Sequence, residues 1–202
     1  MNKTRDKIYE NLCNKISDNS RVPDSEIILI IECAKRKDPS FDINWVDYGG
    51  NCWTLLIHAV YWEREELVEY ILTYPNINVN HKSYDDYTAF YYACLYCIIT
   101  SFKSFLCRRD ININIQNQRG RTGLHCVCMY NYIEYVRELL LDARIDIMIH
   151  DVEGKTALDY AIEEGHLGIA NILKRTEYTS LLRIPNNALL YDITRMIIEE
   201  YT

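Results

Sequence analysis

Thr54, Thr88, Thr122 and Thr156 recur at a spacing of 34 residues without a gap, and companion columns keep the same step. Two residues after each threonine stand Leu56, Phe90, Leu124 and Leu158, and five after stand Ala59, Ala93, Val127 and Ala161. Fourteen on are Val68, Phe102, Val136 and Ala170; seventeen on are Ile71, Phe105, Leu139 and Leu173. Four columns matching in four copies define an internal repeat. A period of this size marks a solenoid of supersecondary units, each burying its apolar face against its neighbours.

The content of each unit follows from its spacing. Apolar positions at +2, +5, +6 and +9 from the threonine predict a short inner helix. A second series at +13, +14, +16 and +17, for example Leu67, Val68, Tyr70 and Ile71, predicts an outer helix. Between copies lie "NVNHKSYDD", "NINIQNQRG" and "DIMIHDVEG", built from turn formers. Each threonine stands where an N-cap belongs, its hydroxyl able to accept from the free amides of the first turn.

Helix–turn–helix plus a turn-rich connector of this length resembles the ankyrin repeat, over roughly residues 44–174. The family pattern runs Asp-x-x-Gly-x-Thr-x-Leu-His-x-Ala, then Gly-His-Leu-x-Ile-Val-x-x-Leu-Leu. The third copy, "NQRGRTGLHCV", and the fourth, "DVEGKTALDYAIEEGHLGIANIL", match closely. The second, "SYDDYTAFYYA", has Asp86 where the glycine belongs, and the first has two extra residues between Gly50 and Thr54. No copy has the proline that usually follows the threonine. The resemblance implies an all-α solenoid of stacked helix–turn–helix units with short β-hairpin-like connectors. Its four units would cover about 44–77, 78–111, 112–145 and 146–174.

The cysteines and histidine of "RGRTGLHCVC" are read within this frame. Cys94 and Cys128 share the +6 column with Val60 and Ile162, a core position filled by a small hydrophobe. Cys97 replaces the family's glycine at +9, and His125 occupies the family's histidine column, where the ring bonds between neighbouring repeats. Cys94, Cys97, Cys126 and Cys128 are the one set with the makings of a zinc site, which needs four converging ligands. The core reading is preferred, and no metal or other cofactor is expected.

Catalytic motifs are missing too: there is no Gly-rich phosphate loop, nucleophile elbow or supported carboxylate pair. Glu163-Glu164 and Glu199-Glu200 read as solvated helix faces. The chain reads as non-enzymatic, without a small-molecule substrate. A net charge of −7 argues against a nucleic-acid partner, and Lys35-Arg36-Lys37 reads as a solvated helix end. The longest aliphatic run, Ile27 to Ile31, falls far short of the ~20 residues that span a bilayer. The charged N-terminus lacks the apolar centre of a signal peptide, and eight cysteines then imply free thiols in a reducing compartment. The expected location is the cytoplasm, or the nucleus.

The ends depart from the pattern, as terminal units do. "TRDKIYENLCNKI" and Ser25 to Arg36 are expected to form a degenerate capping repeat over residues 1–43. At the other end, residues 175–202, Asn186 to Tyr201 after Pro185 read as one amphipathic capping helix. The "PNINVN" and "RRDINI" wording resembles ankyrin proteins of large DNA viruses such as poxviruses, many of which end in an F-box-like segment that docks a ubiquitin-ligase core. Here Ile184-Pro185 fits that opening but Asn187 replaces the acidic residue, and the following apolar spacing is one out of register. A capping role is therefore preferred, with a ligase adaptor as the alternative and a viral host-interaction factor as the implied setting.

In the family the variable contact columns are −1, +7 and +8. Here −1 reads Trp53, Tyr87, Arg121 and Lys155; +7 reads Tyr61, Leu95, Met129 and Glu163; +8 reads Trp62, Tyr96, Tyr130 and Glu164. Trp, Tyr and Arg are the usual interface anchors. Trp53, Tyr61, Trp62, Tyr87, Tyr96, Arg121, Met129 and Tyr130 are thus the candidate contacts for a protein partner, with Trp62, Tyr96 and Tyr130 expected to stack along one groove.

Overall fold

The computed structural model describes residues 3–17, 22–48 and 50–182. Among these residues lie ten helices: α1 (Lys3–Ser17), α2 (Asp24–Lys37), α3 (Leu55–Tyr61), α4 (Glu65–Leu72), α5 (Ala89–Leu95), α6 (Ile99–Leu106), α7 (Gly123–Met129), α8 (Ile133–Leu141), α9 (Ala157–Glu163) and α10 (Leu167–Leu182). α1, α3, α5, α7 and α9 pack on one another in an inner row. The outer helices pair with them, α2 on α1 through α10 on α9, as the two apolar series require. The described residues form no strand, only an isolated bridge between Val46 and Thr54. This is an all-α ankyrin solenoid.

The threonine column caps the inner helices. Thr54 accepts from the Ile57 amide and Thr88 from the Tyr91 amide, while Thr122 and Thr156 form capping boxes with His125 and Asp159. All four helices end at +7, so +9 lies outside the helix that its spacing suggested. The residues there, Glu63, Cys97, Asn131 and Gly165, have φ of 54°, 58°, 61° and 72°. The amide that follows each one bonds back to the +5 carbonyl, Arg64 to Ala59 and His166 to Ala161 for example, closing a Schellman turn. A second left-handed column lies at −2: Cys52, Asp86, Gly120 and Gly154. These two columns hold every positive-φ residue described. The backbone repeats where the side chains do not, at roughly 1–2 kcal/mol for each of the five non-glycines.

The connectors are hairpins closed by a backbone bond: Ser83 to Tyr87, Asn117 to Arg121 and Asp151 to Lys155. In the first unit the matching donor is Asp47, bonding Trp53, so the two extra residues widen this turn. The asparagines of "NINVN" and "NINI" do more than form turns. Asn44 donates to the Asn76 carbonyl at 2.9 Å and accepts from the Asn78 amide at 2.7 Å. Asn80 repeats this with Asp110 and Asn112, and Asn114 with Arg144 and Asp146. One side chain thus ties each connector to the next. The next step lands on Met148, which can make neither bond and is 50 % exposed.

At the N-terminal end Tyr9 is fully buried, stacked on Trp45 at 4.7 Å. Arg64 reaches back to the Lys15, Ile16 and Val22 carbonyls and pairs with Asp24 at 3.2 Å, satisfying orphan acceptors at the end of α1. In the +6 column Val60, Cys94 and Cys128 are fully buried, but Ile162 is 49 % exposed. No described unit covers α9, so a core position becomes surface. α10 runs for 16 residues, against 8 or 9 in α4, α6 and α8. The helix expected over Asn186 to Tyr201, and Ile184-Pro185, lie outside the described residues.

Candidate functional site

The inner-helix termini and hairpins place the −1, +7 and +8 columns along one face, and the rings there form a connected wall over the first two units. Trp53 lies 4.5 Å from Tyr61, and Tyr61 meets Trp62 and Tyr96, each at 5.4 Å, edge to face. Tyr87 joins through Tyr92 at 5.4 Å. Such pairs contribute about 0.5–1.5 kcal/mol each beyond area burial, so the wall holds its own shape. Trp62 and Tyr96 do not stack directly as the sequence suggested; Tyr61 stands between them. Tyr130 pairs instead with Tyr132 at 6.0 Å. The +8 rings stay open: Trp62 is 40 %, Tyr96 41 % and Tyr130 50 % exposed. Trp53, Tyr61, Tyr87 and Met129 are half-buried around them.

Tyr92 is the residue that sequence reasoning missed. It contacts Trp53, Tyr61, Tyr87 and Tyr96, yet its +4 column was assigned no part by the repeat pattern. Tyr160 and Cys126 share this column, so an aromatic there was the available signal. Burial pushes the Tyr92 hydroxyl up to about 12. In the first unit the column holds His58, its ring 5.0 Å from Trp53 and both buried nitrogens without a hydrogen-bond partner. Burial lowers its pKa to about 4, against the pull of Asp47.

Arg121 behaves differently from the other candidates. Its guanidinium donates to Asp151 at 3.2 Å and to the Tyr160 hydroxyl at 2.6 Å, and pairs with Glu153 at 3.4 Å. Tyr160 in turn donates to Asp151 at 2.6 Å. Burial would raise the Asp151 pKa, but Tyr160, the Lys155 and Glu153 amides and Arg121 together hold it at about 2. Lys155 bridges Glu153 and Glu163, so an ion network closes the groove at the fourth unit. His125 accepts from the Thr122 amide through Nδ1, and its Nε2 donates to the Lys155 carbonyl at 3.2 Å, linking the third unit to the fourth.

Cys94, Cys126 and Cys128 are buried while Cys97 is exposed. Among the described residues no group of three or more His, Cys, Asp or Glu is placed to hold a metal ion. Burial pushes the Cys126 thiol up to about 12 and raises Cys94 and Cys128 as well, so these sulfurs stay protonated core atoms. No described helix is long and apolar enough to cross a membrane.

Comparison with known families agrees with this geometry: residues 98–180 match a family model of ankyrin repeats in three copies. The chain therefore carries ankyrin repeats, which are generally protein–protein interaction modules and typically not enzymes. No curated protein matches the chain.

Proposed function

We propose that this chain is a non-catalytic module that binds a protein partner through the concave face of its first three units, with the connector tips at the edge of the contact. The supporting observation is the exposure of Trp62 and Tyr96 on a preassembled aromatic wall, with Tyr130 open in the next unit. Rings already held by their neighbours lose little rotamer freedom on binding, which suits them as anchors. The repeat wording supports a setting as a viral host-interaction factor in the cytoplasm or nucleus. The ligase-adaptor reading rests on Ile184-Pro185 alone. Affinity capture from host lysate, read by mass spectrometry, should compare the full chain, Tyr96→Ala and a chain ending at Arg183. Clients lost with Tyr96→Ala and kept by the shortened chain support the module. Ligase subunits lost only with the shortened chain support the adaptor, and identical lists from all three refute both.

A further inference from the structure

Between the second and third units the concave face opens into a recess of about 180 Å³. Tyr87, Tyr91, Leu95, Cys126, Met129 and Tyr130 form its walls, with Asn117, Arg119 and Arg121 at the edge. The size matters: an apolar cavity of roughly 150 Å³ accepts a benzene ring. Ring edges and a thioether also favour an aromatic guest over an alkyl one. The floor carries no charge, because burial keeps the Cys126 thiol and the Tyr91 hydroxyl protonated.

The edge decides what accompanies that ring. Arg121 has its charge committed to Asp151 and Glu153. Arg119 is exposed, and its side chain makes no hydrogen bond or ion pair among the described residues. The Asn117 carbonyl oxygen accepts from the Arg119 and Arg121 amides, leaving its NH₂ group as a further donor. No acidic residue lines the recess. A chain of net charge −7 therefore presents here one uncommitted cation and one amide donor beside a ring-sized slot.

Resting on the concave-face reading, we propose that this recess takes one aromatic side chain of the partner together with an adjoining carboxylate, so that the recognised segment is an acidic peptide with an aromatic anchor. A single cation does not suit a polyanion, whose binding draws on many Lys and Arg. It does suit one carboxylate, which a guanidinium meets through paired donors.

Phenylacetate and phenethylamine carry the same ring with opposite charge, and titration of each into the full chain tests the assignment. The probe is the Met129 methyl signal in protein carrying ¹³C-methyl methionine, identified by its loss in Met129→Leu. Phenylacetate should shift this signal saturably in the millimolar range, at least fivefold more tightly than phenethylamine. Arg119→Gln should erase that preference without changing the melting temperature, because its side chain holds nothing in the fold. Equal affinity for the two probes, a silent Met129, or a preference that survives Arg119→Gln overturns the proposal. Those outcomes leave Tyr96-dependent capture of a client untouched, so failure of the recess is distinguishable from failure of the concave-face reading.

Discussion

The two halves of the concave face reach one backbone by different chemistry. In the first two units the hairpins turn on Cys52 and Asp86, at φ of 55° and 61°, and the face is an aromatic wall with His58 unpartnered behind it. In the last two the turns use Gly120 and Gly154, capping boxes close α7 and α9, and Arg121, Asp151 and Tyr160 lock one unit to the next. The match to known ankyrin repeats begins at residue 98, at the outer helix of the second unit, and takes in both units of the second half. The first half holds the left-handed turn on residues that carry a Cβ and the second on glycine, yet the backbone is the same.

The sharpest test of that contrast is Arg121→Ala. It leaves the Asp151 carboxylate, fully buried, without its cation, and such losses cost about 3–5 kcal/mol. Urea denaturation should show it. A loss under 1 kcal/mol would mean that the network is not what locks the second half.

Acid probes the buried titratable groups of both halves. The His58 ring has an ordinary pKa of 6.5 and about 4 in the folded chain, so the unfolded chain binds the extra proton between these values. Its contribution is complete above about pH 6.5 and drains away as pH falls to about 4, a loss of about 3 kcal/mol. Asp151 moves from 3.8 to about 2, and its contribution of about 2 kcal/mol is lost only below pH 3.8. Stability measured from pH 7 to 4.5 should therefore fall more steeply in the wild type than in His58→Leu, whose remaining slope comes from His125, also lowered by burial. Parallel curves for the two proteins would assign the first acid step elsewhere.

A smaller effect compares two glycines in the same turn. A Cβ on Gly120 would lie 2.8 Å from the Val152 nitrogen and 2.9 Å from the Asp151 Cα, whereas Gly154 has nothing within 4 Å. Gly154→Ala should cost only the left-handed conformation, about 1–2 kcal/mol. Gly120→Ala should cost at least ~1 kcal/mol more, because backbone cannot step aside. Equal costs in thermal melts would show that the next hairpin is not seated as tightly as the geometry requires.

The smallest change in stability is expected for Tyr130→Ala, about 0.5–1 kcal/mol, since its ring is half exposed and keeps one ring partner, Tyr132. Its effect on partner affinity should be larger than on folding. A variant that melts early yet binds normally would move Tyr130 from the contact surface into the packing.

The threonine period and the apolar columns were enough to specify stacked units of an inner and an outer helix, because burial against identical neighbours demands a repeated pattern. The N-caps, His125 and the wider first hairpin were legible for the same reason: each is a local bond within one turn or between adjacent copies. Other features depended on what lies across the unit boundary. Asn80 and Asn114 read as turn formers, and only stacking shows each of them, like Asn44, tying one connector to the next. Ile162 follows a core column, but its exposure reflects the lack of a described unit above it. Arg121, expected as a contact, and Tyr92, to which the pattern assigned no part, depart from expectation for a third reason. A side chain on the inner row can face the groove or a neighbouring unit, and the choice is made by the ring or carboxylate that waits 30 or more residues away.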